Sequence, residues 1–77
     1  MKLEIISPSE IMFSGEVDAV TLPGVAGKFT VLKNHASLIS ALTKGQVRFL
    51  SGTEESTLEI RGGLADIDMN KIAVCVY

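Results

Sequence analysis

The sequence has little of what catalytic, redox or nucleic-acid-binding sites usually require. It contains one cysteine, Cys75, one histidine, His35, no tryptophan, three phenylalanines and one tyrosine. A lone cysteine can form neither an internal disulfide nor a multi-cysteine metal site, so we expect Cys75 to be a small buried side chain in the last strand. Seven basic residues are scattered among nine acidic ones, giving a net charge of −2. Without a basic cluster or aromatic platforms, nucleic acid is not an expected partner.

Long apolar runs are also missing. No run approaches the roughly 18 residues that a helix needs to cross a bilayer, and Glu4 interrupts the apolar start directly after Leu3. We therefore expect no direct membrane insertion, and any membrane association would be made through a protein partner. With 47% hydrophobic and 21% charged residues, the 77-residue chain is expected to fold as one packed domain, residues 1–77.

Short runs rich in β-branched residues, separated by turn signals, predict about nine strands and no helix. Pro8 and Pro23 are expected to end two strands, and Asn70, which tolerates a positive φ, is expected to turn the chain into the last one. Together they predict an all-β fold, a flattened two-sheet β-sandwich. The expected strands are residues 3–7, 11–13, 16–22, 27–32, 38–42, 46–50, 57–61, 64–68 and 71–77.

The glycine-rich stretch that begins at Pro23 invites comparison with a phosphate-binding loop. A P-loop requires a Lys-Ser/Thr pair after its last glycine, at the start of a helix. Here Lys28 follows Gly27, but Phe29-Thr30-Val31 continues as a strand. The stretch is therefore interpreted as a specially shaped connection, which is a common location for function.

No constellation of catalytic or metal-binding residues is recognisable. His35 could act in acid-base chemistry, but there is no second histidine and no serine or cysteine in a nucleophile motif. We interpret His35 as a structural or partner-contacting residue. Asp66 and Asp68 would share one face of a strand, and we expect that face to be solvated, since calcium needs about six or more oxygen ligands. No catalytic residue, metal or cofactor is predicted.

A set of motifs with characteristic spacing runs through most of the chain, from Leu3 to Val74. Its members are Pro23-Gly24, Gly27, Phe29-Thr30-Val31-Leu32, Asn34-His35-Ala36, Gly45 and Gly62-Gly63. In these residues the sequence resembles the amino-terminal domain of the epsilon subunit of F-type ATP synthases. The resemblance implies a flattened β-sandwich in a non-catalytic, central-stalk subunit of a proton- or sodium-translocating synthase. Such a subunit joins the gamma subunit to the c ring and supports rotary coupling.

The resemblance also assigns roles to individual residues. Gly27 and Lys28 match the loop that faces the polar loops of the c ring. Ser7, His35 and Ser40 match positions that face gamma. It further implies a peripheral location at the cytoplasmic face of the inner membrane, within the synthase complex, with no cofactor.

The sequence departs from the family pattern in places. Lys28 stands where many members carry an acid, and Asn34-His35-Ala36-Ser37 replaces a common Gly-His-Ala-Pro. The carboxy-terminal helical hairpin of many members has no counterpart in these 77 residues. From the residues alone, a free-standing β-sandwich adaptor or ligand-binding module remains the alternative, and a hydrolase using His35 comes third.

Overall fold

Nine β-strands and no helix make up the structure, a computed structural model that describes residues 1–77. This confirms the all-β prediction. The structure contains no helix that could cross a membrane. The strands are β1 (Lys2–Ile6), β2 (Ile11–Glu16), β3 (Ala19–Gly24), β4 (Gly27–Leu32), β5 (His35–Leu42), β6 (Gly45–Ser51), β7 (Glu54–Ile60), β8 (Gly63–Met69) and β9 (Lys71–Val76).

The strands pair into one mixed sheet that curls into two layers. Strands β2-β1-β9-β8-β5 form a five-stranded layer, and β4-β3-β6-β7 form a four-stranded layer. Strands β1 and β9 are parallel, whereas the other pairs are antiparallel. A single residue pair, Gly24 with Leu42, joins β3 to β5 at the seam between the layers. The arrangement agrees with the predicted flattened sandwich.

The core lies between the layers and draws on both. Fully buried side chains include Leu3, Ile5 and Val74 from the five-stranded layer and Val20, Leu22, Val31 and Val47 from the four-stranded layer. Each such side chain contributes about 1.5–3 kcal/mol through burial. The rings of Phe13 in β2 and Phe49 in β6 lie 4.3 Å apart between centroids, tilted by 45°, and connect the layers far from the seam. Alternate residues point outward and are available for function.

The segment around Val17 differs from the prediction. Strand β2 runs through Ser14-Gly15 to Glu16, and the chain breaks at Val17 and Asp18, where one strand over residues 16–22 was expected. Two contacts hold these residues outside the sheet. The Val17 side chain is buried, at 2% exposure, and the Asp18 carboxylate accepts a hydrogen bond from the N–H of Gly52 at 2.8 Å. The alternating pattern of this segment did not reveal that its first residues leave the sheet.

Pro23 does not end its strand, as the sequence had suggested. Strand β3 continues to Gly24, and Pro23 pairs with Lys28. The Pro23 carbonyl accepts the N–H of Thr43 at 2.8 Å. A proline fits at this position because its backbone carbonyl accepts a hydrogen bond, whereas no hydrogen bond from a backbone N–H, which proline lacks, is needed there.

Two turns also differ from expectation. The positive φ before β9 belongs to Met69, at 55°, and not to Asn70. The turn between β4 and β5 is limited to Lys33 and Asn34, so β5 begins at His35 rather than at residue 38. The Asn70 side chain has another role: its Oδ1 accepts the N–H of Asn34, and its Nδ2 donates to Asn34 Oδ1, both at 2.9 Å. This reciprocal pair holds the two turns together.

The prediction that Cys75 is buried is wrong, since the residue is exposed. In β9 the side chains of Val74 and Val76 point into the core, and Cys75 between them points outward. Because every residue from Ile72 to Tyr77 is apolar, hydrophobicity alone could not indicate which residues face inward.

The hairpin predicted from residues 46–50 and 57–61 is present. Strands β6 and β7 pair along their whole length, from Gly45 with Ile60 to Ser51 with Glu54. The turn is shorter than expected and consists of Gly52, with a φ of 62°, and Thr53.

Candidate interaction surfaces

A row of apolar side chains crosses the outer face of the five-stranded layer. Its members are neighbours in register on five adjacent strands. Their chain neighbours Ile5, Val74 and Ala65 are buried, so the row itself points outward. We call this set the apolar row: Ile11, Ile6, Cys75, Leu64 and Ala41.

The apolar row leaves large hydrophobic groups in contact with water. Ile11 is 64% exposed and Leu64 is 49% exposed. Ile39, at 66% exposure, lies on the same face, one register step away and opposite Asp66. Monomeric proteins rarely expose large contiguous apolar patches, and such patches mark interaction sites.

The opposite end of the same face is charged. Lys2 pairs in register with Glu16 and with Lys71, and Lys71 pairs with Asp68. Ser37 donates a hydrogen bond to the Asp68 carboxylate at 2.7 Å. The face therefore changes along the strands from apolar to charged, and a partner that covers its full length would meet both kinds of surface.

The β3–β4 hairpin lies beside the apolar end of this face. Gly24 pairs with Gly27, which leaves Val25 and Ala26 at the tip, and Val25 is 66% exposed. The Val25 N–H donates to the carbonyl of Ala41, a member of the apolar row, at 3.0 Å. Gly27 has a φ of 131° and open space around its Cα, so the turn needs a glycine for conformation and not for packing.

The five residues that the resemblance singled out are distributed over both ends of the sandwich. Lys28 is exposed in β4, directly after Gly27. Ser7 follows the end of β1, beside the apolar row, and its Oγ accepts the N–H of Glu10 at 3.2 Å. Ser40 is half-buried and pairs with Ala65. The structure therefore brings Ser7 and the hairpin to the same end.

His35 lies at the other, charged end. It begins β5, seven residues before Leu42, which at about 3.3 Å per residue separates the two by about 23 Å. The half-buried ring makes its hydrogen bond, of 2.7 Å, between Nδ1 and the carbonyl of Ala36. This bond orients the imidazole without pairing it to a carboxylate or a nucleophile, so the geometry gives it no acid-base partner.

No group of three or more His, Cys, Asp or Glu side chains lies close enough together to hold a metal ion. The most prominent surface feature is the apolar row, which the sequence reasoning missed. Its members are far apart in sequence, and only the strand register brings them together. A small β-sandwich with one exposed apolar face has the features of an interaction domain.

Comparisons with known proteins identify the family. The family model for the beta-sandwich domain of the ATP synthase delta/epsilon chain matches residues 1–77. The ATP synthase epsilon chain of Chlorobaculum tepidum is 46% identical over 70 residues, covering 90% of this chain and 80% of the relative. That of Dehalococcoides mccartyi is 36% identical over 74 residues, covering 96% of this chain but 53% of the relative. The chain therefore belongs to the ATP synthase delta/epsilon family, and the resemblance seen in the sequence is confirmed.

Solved structures with the same fold agree with this assignment. A chain in a cryo-EM structure of Euglena gracilis mitochondrial ATP synthase, which contains OSCP, F1 and the c-ring, superposes with a TM-score of 0.90 at 22% identity, over 96% of this chain and 48% of that one. A chain of the Tetrahymena thermophila mitochondrial ATP synthase central stalk and c-ring superposes with a TM-score of 0.81 at 10% identity, over 97% of this chain and 61% of that one. At these identities the likeness establishes the fold.

Proposed function

We propose that this chain is a non-catalytic central-stalk subunit of a proton- or sodium-translocating F-type ATP synthase. In this role it joins the gamma subunit to the c ring, supports rotary coupling, and lies peripherally at the cytoplasmic face of the inner membrane. The observation that carries the proposal is the family match over residues 1–77, together with relatives named ATP synthase epsilon chain. The two solved assemblies with this fold, both of which include a c-ring, support the choice of partners.

The surface proposed for gamma is the outer face of the five-stranded layer. Its apolar row would be desolvated by a packed partner, and its charged end would supply polar contacts around that centre. Ser7 lies beside the apolar row and His35 lies at the charged end. Ser40 pairs with the buried Ala65, so its side chain points to the core side of β5. For Ser7 and His35 both to face gamma, as the resemblance implies, gamma would have to extend along the whole face, and it would reach Ser40 only by also contacting the inner side of β5.

The surface proposed for the c ring is the β3–β4 hairpin, with Gly27 and Lys28. The hairpin tip projects beside the seam between the layers, and both residues are exposed. Lys28 makes no ion pair within the chain. Its charge is therefore available to a partner, and a change at this position should alter binding without disturbing a structural contact.

A matched pair of variants tests the gamma assignment. Leu64 of the apolar row and Leu32 of β4 are exposed to a similar extent, 49% and 58%, but lie on opposite layers. Because burying a leucine contributes about 1.5–3 kcal/mol, Leu64→Ser should weaken binding to purified gamma subunit by about tenfold to a hundredfold. Leu32→Ser should leave the affinity unchanged. Equal affinities for both variants and the parent would show that gamma does not use this face.

A further inference from the structure

A cleft of about 330 Å³ opens on the outer face of the four-stranded layer, the side turned away from the apolar row. Three of its nine lining residues, Pro23, Gly24 and Gly45, carry no long side chain. A Cβ added to Gly45 would lie 2.9 Å from the Cβ of Pro23, so a side chain at this position would crowd the proline that lines the cleft. The volume falls at the lower end of the range of small-molecule sites, about 300–1,000 Å³.

The rim of the cleft is positive. Lys28, Lys44 and Arg48 line it, and none of the nine lining residues is acidic or hydrophobic. These are three of the seven cations in a chain whose net charge is −2, so the local charge has the opposite sign to that of the whole molecule. Such a concentration of positive charge attracts anions.

Little within the chain neutralises these cations. Lys28 and Lys44 form no ion pair, and Arg48 Nε lies 3.6 Å from Glu55 Oε1. Both members of that pair are more than half exposed, and exposed pairs of this kind contribute little to stability. The guanidinium can therefore exchange Glu55 for an anion in the cleft.

The uncharged part of the lining adds hydrogen-bond donors. The hydroxyls of Thr21 and Thr43 and the side-chain amide of Gln46 line the same cleft. The Thr21 hydroxyl is 2.9 Å from that of Thr30, which can take its proton or supply one. Cations combined with neutral donors suit a group that has several acceptor oxygens and more than one negative charge, which describes a phosphate better than a carboxylate.

We propose that this cleft binds a phosphate group, carried either by an anionic phospholipid headgroup or by a small phosphorylated anion. The site is not a P-loop, because it uses side chains on the face of a sheet instead of backbone N–H groups at the start of a helix. It goes beyond the role in the stalk and does not depend on it.

Two double variants of equal net charge distinguish binding at the cleft from nonspecific electrostatic attraction of anions to the whole chain. Lys44→Gln/Arg48→Gln removes two cations of the cleft, and Lys33→Gln/Lys71→Gln removes two exposed cations elsewhere. Each leaves five basic against nine acidic residues, a formal charge of −4. Lys28 stays in both, because it belongs to the surface proposed for the c ring.

The experiment has a soluble arm and a membrane arm, both at about 20 mM salt, where screening is weak. In the first, inorganic phosphate and pyrophosphate are titrated into the 77-residue chain and amide chemical shifts are followed by NMR. In the second, the chain is sedimented with phosphatidylglycerol vesicles and, as control, with phosphatidylcholine vesicles. We expect saturable shifts near the cleft, or sedimentation with the anionic vesicles alone, that the cleft variant weakens at least tenfold and the control variant does not.

The arms also identify the source of the phosphate. Shifts with the soluble anions assign a small phosphorylated ligand, and binding to anionic vesicles alone assigns a lipid headgroup. Equal weakening in both double variants, or no binding in either arm, would overturn the proposal. Saturable binding of an acidic peptide with no response to any phosphate compound would overturn it as well, since the occupant would then be a protein carboxylate.

Discussion

Replacing Gly63 by alanine should destabilise the sandwich strongly, because the backbone of β9 occupies the space that a side chain would need. Gly63 begins β8 and pairs with Val76 on one side and with Leu42 on the other. A Cβ would overlap the carbonyl of Cys75 and lie 3.0 Å from the Cα of Val76. These are backbone atoms of a paired strand, so they cannot move aside as the end of a flexible side chain could.

The expected magnitude follows from this clash. Overpacking costs about 1–3 kcal/mol when side chains adjust, and we place Gly63→Ala at the upper end, about 3 kcal/mol, because strands must shift. A domain of 77 residues has a free energy of unfolding of about 4–12 kcal/mol, at about 0.05–0.15 kcal/mol per residue. The substitution would therefore remove a quarter or more of it. For a domain of this size, 3 kcal/mol lowers Tm by about 12–24 °C.

Gly52→Ala provides the matched control. Gly52 has a φ of 62°, but nothing lies within 4 Å of an added Cβ, so only the conformation is unfavourable. That costs about 1 kcal/mol, or a fall in Tm of about 4–8 °C. Thermal unfolding followed by circular dichroism, with urea unfolding as a second measure, compares the two variants. If Gly63→Ala loses no more stability than Gly52→Ala, the argument that the β9 backbone leaves no room for a side chain at residue 63 is wrong.

Three further predictions address the fold and its surfaces. The far-ultraviolet circular dichroism of the chain should show β structure without helix, and a helical content above about a fifth would contradict the nine-stranded fold. Lys28→Glu should change association with the c ring at low salt while altering the free energy of unfolding by less than about 0.5 kcal/mol; unchanged association would exclude the hairpin as the ring contact. Cys75, exposed in the apolar row, should react readily with a maleimide in the free chain and slowly when gamma is bound. Equal labelling rates in the two states would argue against the proposed gamma surface.

Sequence patterns were most informative where apolar and polar residues alternate. Between Leu64 and Asp68 the alternation correctly predicted that Asp66 and Asp68 share an exposed face, and the residues between them and beside them, Ile67 and Ala65, are buried. In the run that contains Cys75 every residue is apolar, so there is no alternation between apolar and polar residues to show which side chains face the core, and the prediction failed. Residue preferences for turns had a similar limit. Asn34 has the positive φ that asparagine tolerates, at 62°, but in the turn between β8 and β9 the positive φ belongs to Met69 and not to the neighbouring asparagine.

The candidate surfaces were harder to predict than the strands. Local pairing, as between β6 and β7, follows from a short turn, but the parallel pairing of Ile6 with Cys75 joins segments near opposite ends of the chain. The apolar row depends on that register, so it could not be derived from any single segment. For the same reason, the sequence did not reveal that Ser7 and His35 lie at opposite ends of the sandwich. Their proposed contacts with gamma, like those of Gly27 and Lys28 with the c ring, stay predictions.

The most direct test of the central claim is co-purification from the organism's own membranes. The membranes are solubilised in mild detergent, the chain is captured through an affinity tag, and the associated proteins are identified by mass spectrometry. Thr53→Ala, an exposed change in the β6–β7 turn of the four-stranded layer, serves as a control for the effect of a surface substitution. A central-stalk subunit should be recovered with gamma and the c ring in constant proportion. Recovery of the chain in the soluble fraction, free of both, would contradict the account and favour a free-standing β-sandwich module.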